Sequence, residues 1–138
     1  MPTSMTGLRA ALDRASSPSS SQRVRAGRDL APFTGVPAAA VALPVLLLDI
    51  ADTRVTRRTA EALARVGTVA AVRLIALALA EADDSHADWI QTGVHDVLSG
   101  PQSVPDIAGA CARLVRDEDA AVREGAREIL EWTDDAGP

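Results

Sequence analysis

A chain of 138 residues, 47% of them hydrophobic, has the length of one domain and enough apolar content for a sizeable core. Its single cysteine, Cys111, excludes an intramolecular disulfide and suits a reducing compartment. The net charge of −5 is unevenly placed: ten Arg against five acids over residues 1–75, then four Arg against fourteen acids over residues 76–138.

Every basic residue is Arg, and Lys, Asn and Tyr are absent, a bias that points to a high-GC bacterial genome. The first residues lack the long apolar run of a secretory signal. The longest apolar run, 36–48, contains Pro37 and Pro44 and is too short to span a bilayer. A cytoplasmic protein without membrane contact is the expectation. The basic-early, acidic-late charge can steer a partner or support weak self-association through oppositely charged ends; an ordinary solvated surface is the alternative.

Residues 1–21 read as a short helix over 6–15, with Leu8, Ala11 and Leu12 on one side, followed by a Ser-rich connector. A repeat domain then runs over 22–133. Its first repeat, 22–51, pairs a helix over 22–33, capped by Ser21, with one over 37–51. Pro32 ends or kinks the first of these, Pro37 suits a first helical turn, and Pro44 should kink or shorten the second.

The second repeat, 52–83, has Asp52 capping one helix, Gly67 in the turn and Thr68 capping the next. The third, 84–116, has helices over 86–98 and about 105–115, separated by Ser99-Gly100-Pro101. A half repeat over 119–133 starts at Asp119, and residues 134–138 read as a disordered tail. No segment alternates apolar and polar residues over a strand's length, so no sheet is expected.

One phrase recurs through these repeats: apolar-x-x-small-small-x-x-apolar-apolar. Its copies start at Val24, Val55, Ile90 and Val122, spaced 31, 35 and 32 residues apart. Self-similarity at that period marks a stacked helical repeat. Gly27, Gly93 and Gly125 fall mid-helix, where glycine costs about 1 kcal/mol relative to alanine. Close helix–helix approach at each stacking layer accounts for all three.

The residues Asp52-x-x-Val55, Asp119-Ala120-Ala121-Val122-Arg123-x-x-Ala126-x-x-x-Leu130 and Val24-Arg25 make the chain resemble the HEAT-repeat family and its armadillo-like relatives. The resemblance covers about residues 20–133. The third copy departs from it, with Ala87 at the capping position and Gln91 in place of the Arg. The resemblance implies an all-α fold: a right-handed α-α superhelix of about three and a half hairpins, seven or eight helices, with second helices lining a concave side. It also implies scaffold or adaptor roles for most members. Fold alone does not decide function.

Catalytic motifs are absent from the sequence: no phosphate-binding loop, dinucleotide fingerprint or nucleophile elbow appears. His86 and His95 form no ligand pair, and Cys111 has no recognisable base. A non-enzyme without cofactor or metal is expected. Binding surfaces have better candidates. Val45, Asp49, Arg73, Leu77, Glu81, Asp106 and Arg113 fall on or beside second helices and would form a mixed groove for another protein. The same apolar residues equally serve as packing against flanking repeats. Trp132, on the half repeat, is a candidate anchor at an open end. Arg25, Arg54, Arg57 and Arg58 on the first helices would form a ridge for nucleic acid or another anion, although Arg57 and Glu61 can pair at i,i+4.

Overall fold

The computed structural model describes residues 5–101 and 104–135. Among these, the chain forms eight α-helices and no strand: α1 (Met5–Ala15), α2 (Ser20–Leu30), α3 (Pro37–Leu47), α4 (Thr53–Val66), α5 (Val69–Glu81), α6 (Asp84–Leu98), α7 (Ile107–Leu114) and α8 (Ala120–Asp135). A short 3-10 turn, Ala31–Phe33, extends α2 past Pro32.

Local chemistry sets the helix ends. Ser19, two residues before the expected cap, accepts the Gln22 N–H at 3.4 Å. Asp52 accepts from Arg54 N at 2.9 Å, Thr68 from Ala71 N at 3.2 Å, and Asp83 from His86 N at 2.7 Å. Gly67 closes α4 in the left-handed region at φ 67°, and its N–H reaches the Leu63 carbonyl. Pro37 opens α3, and Pro44 lies inside it. The helix stops at Leu47, short of the expected 51, where the Asp49 carboxylate turns the chain by accepting the Ala51 and Asp52 N–H groups. At the other end, α8 continues through Asp135, so residues 134 and 135 are helical; the rest of the expected tail, 136–138, lies outside the described residues.

The helices stack in two rows. One row is α2, α4 and α6; the other is α3, α5 and α8. The three mid-helix glycines mark the crossings. A Cβ on Gly27 would strike the Thr59 side chain on α4, and one on Gly93 would meet the Arg57 carbonyl and the Ala60 Cβ. A Cβ on Gly125 would lie 2.7 Å from the Ala76 Cα on α5. Each glycine therefore permits a backbone approach that alanine would block, as the repeated small position leads one to expect.

The last repeat packs differently from a fourth stacked first helix. The main neighbours of α8 are α5 and α7, and α7 itself rests on α5 and α8. Just before α7, Pro105 sits over the bare Cα of Gly67 in the α4–α5 turn. The helix expected as an unpaired half repeat therefore completes the second row, against α5.

Leu30, Leu43, Leu63, Ile75, Ile90 and Ile129 are fully buried between the rows. Each such side chain contributes about 1.5–3 kcal/mol relative to exposure. Thr56 and Thr59 on α4 are also fully buried, and neither hydroxyl has a hydrogen-bond partner.

Candidate binding surfaces

Helix α3 is apolar on every side. Ala39, Leu43, Leu46 and Leu47 face the core. Positions two residues away are rotated by about 200°, so Val41 and Val45 point outward, 71% and 67% exposed. Ile50, in the turn after α3, is 97% exposed. With Val104, these are the exposed bulky apolar groups among the described residues.

The other expected groove residues divide into two sets. Leu77 is half-buried and packed against the core, while Glu81 and Arg113 are exposed. Helix α5 contacts both α3 and α7, so Leu77 lies on the helix between those carrying Val45 and Arg113.

Asp49, Arg73, Asp106 and Trp132 are occupied in building the fold. Asp49 takes two hydrogen bonds from Arg23, at 2.8 and 3.3 Å, and accepts the N–H groups of Ala51 and Asp52. It thereby fixes the α3–α4 turn. Arg73 holds Asp117 with two bonds of 3.2 Å, tying the α7–α8 turn to α5. That guanidinium, with the Asp119 N–H, keeps the Asp117 carboxyl below its ordinary range. Asp106 caps α7 through Gly109 N at 2.9 Å. Trp132 is only 4% exposed, because α7 and α5 cover the face of α8 that an open end would expose. It is a core residue, as are its neighbours Ile129 and Val122.

The arginine ridge is largely engaged within the molecule. Arg57 reaches Asp96 on α6 at 2.8 and 3.1 Å, and does not pair with Glu61 as the i,i+4 spacing allows. Glu61 instead accepts from Arg58 at 2.9 Å and from Arg65 at 3.4 Å. Arg54 contacts Ser20 at 3.3 Å and Asp52 at 3.6 Å. Arg25 is exposed on α2.

A cleft of about 530 Å³ opens between α2 and α4. Arg28, Arg58 and Arg65 surround it, and Val24, Ala62 and Val66 form its floor. The i,i+4 spacings Val24/Arg28 and Arg58/Ala62/Val66 are the signal that could have marked these two faces, which the sequence alone did not join. Their convergence depends on the α2–α4 crossing at Gly27 and Thr59. A smaller cleft of about 320 Å³, between α5 and α8, carries Glu124 and Glu128. Burial, reinforced by Glu131, raises the Glu128 carboxyl above its ordinary value.

The His86 ring bridges two acceptors: its Nε2 lies 2.8 Å from the Asp49 carbonyl and its Nδ1 2.9 Å from the Asp83 carboxylate. The Asp49 carbonyl, then Asp83, raise its pKa. Cys111 is buried, which pushes its thiol up to about 11. Among the described residues, no three His, Cys, Asp or Glu side chains converge as a metal site, and no helix is long and apolar enough to cross a membrane.

No family model matches this chain, and no curated protein matches it. A crystal structure of an engineered protein aligns over 96% of this chain and 69% of its own, at 20% identity and a TM-score of 0.41.

Proposed function

We propose that this chain is a small, non-catalytic, HEAT-like helical module that binds another protein through the outer side of α3 and α5. The observation that carries this reading is the outward apolar pair Val41 and Val45, one turn apart on α3, with exposed Ile50 in the turn that follows. An apolar patch on a small domain marks an interaction surface when it is contiguous. Leu77 extends its apolar character, and Glu81 and Arg113 supply a charged margin. An adaptor, inhibitor or immunity-type role in the cytoplasm fits such a surface.

The recognition would require little ordering. Helix α3 is anchored by four buried side chains and the Arg23–Asp49 pair, so its outward valines are held in place before binding. The test is affinity capture from the native cell, comparing the wild-type chain with Val45→Arg. Val45 is solvent-facing, so the fold should persist by circular dichroism. A partner retained by the wild type and lost with Val45→Arg supports the reading. Identical captured sets overturn it.

A further inference from the structure

The α2–α4 cleft is separate from the surface proposed above and has a different chemistry. Arg28, Arg58 and Arg65 line it, together with Glu61. Glu61 accepts from Arg58 and Arg65, one turn to either side of it, so the two cations stand about two turns apart on the α4 wall. Arg28 stands on the opposite wall, 68% exposed, with its nearest carboxylate, Asp29, at 3.6 Å. Beneath these charges the floor is apolar: Val24, Ala62 and Val66.

We propose that this cleft binds one small amphipathic anion, a carboxylate or phosphate head carrying a short apolar body. The head would sit between Arg28 and Arg58, where charge-assisted hydrogen bonds reach it from both walls. The body would cover the valine and alanine floor, which is otherwise left to water. A cavity of about 530 Å³ lies within the range that takes a single small molecule. The exposed guanidiniums of Arg28 and Arg58, one from each wall, select an anion, and the floor selects against a bare one. Arg58 is positioned in advance by Glu61, so binding orders few side chains.

Calorimetric titration with octyl phosphate, kept below its micelle concentration, tests the proposal. The wild-type chain should bind it at one site per chain. Inorganic phosphate and octanol should each bind at least about tenfold more weakly, since each offers half of the chemistry. Arg28→Gln and Arg58→Gln should each weaken octyl phosphate by about tenfold, the cost of one charge-assisted hydrogen bond. Ala62→Phe should block the apolar body while leaving all the charges in place. Arg127→Gln, on α8, should change nothing, and circular dichroism checks that each variant is folded.

Absence of saturable binding overturns the proposal. So does binding indifferent to both arginine substitutions, or equal affinity for inorganic phosphate. Phosphatidylcholine vesicles containing phosphatidylglycerol separate a free ligand from a lipid headgroup. Arg28-dependent sedimentation with those vesicles overturns the assignment to a free ligand, and sedimentation no greater than with phosphatidylcholine alone supports it.

Discussion

Arg57 on α4 holds Asp96 on α6 with two hydrogen bonds, at 2.8 and 3.1 Å, beside the point where Gly93 meets the Arg57 carbonyl. One residue thus serves the crossing twice, by its backbone and by its side chain. The side chains are 35% and 27% exposed, so solvent screens the pair. A double-mutant cycle with Arg57→Ala and Asp96→Ala should give a coupling of about 0.5–1 kcal/mol, falling with added salt. Zero coupling at low salt would show that the contact contributes nothing to the α4–α6 crossing.

The glycine crossings make a sharper prediction. Gly125→Ala should gain about 1 kcal/mol of helix propensity, but its Cβ would meet the Ala76 backbone, which no rotamer change can relieve. A net loss of about 2 kcal/mol is expected in denaturant unfolding. Gly7→Ala, with open space around its Cβ, should instead stabilise by up to about 1 kcal/mol. Equal effects at the two sites would contradict the close-approach account.

These glycines also show how much of the fold was legible. Their recurrence announced helix–helix contact, and the capping residues Asp52, Thr68 and Gly67 announced the α4–α5 hairpin. The row that α8 joins was not legible. That choice depends on the seat Ala76 offers to Gly125 and on Pro105 fitting over Gly67, both contacts between residues far apart in sequence. The candidate site was read with the same mixture. Exposed Val45 stood out because α3 is apolar on every side. Trp132, an apparent anchor, is covered by α7, which a linear repeat pattern places elsewhere. Asp49 and Arg73 carry charges suited to a groove rim. Their partners, Arg23 and Asp117, lie 26 and 44 residues away and were not visible as partners in the sequence.

The His86 bridge gives stability a pH dependence. Both groups facing the ring are acceptors, so the doubly protonated imidazolium satisfies them and the pKa rises. Such a group contributes its stability fully below the unfolded value of about 6.5, and loses it as pH rises through the higher folded value. The urea midpoint should therefore fall from pH 6 to 8 in the wild type, and less so in His86→Gln. Matching pH profiles for the two proteins would remove His86 as the cause.

Cys111 should behave as a core thiol. With its pKa pushed up to about 11 by burial, little thiolate exists near neutral pH. Labelling by a thiol-disulfide reagent should be slow in the native protein and should accelerate with denaturant in step with unfolding. Rapid stoichiometric labelling of the folded chain would contradict the burial.

The central claim is that the outward face of α3, continued by α5, receives another protein. Hydrogen–deuterium exchange of the chain alone and with a partner isolated by differential capture tests it most directly. The account predicts new protection over α3 and the turn containing Ile50, extending to the Leu77 region of α5, with little change over α2 and α6. Protection confined to α2, α4 or α6, with α3 exchanging as in the free chain, would contradict it.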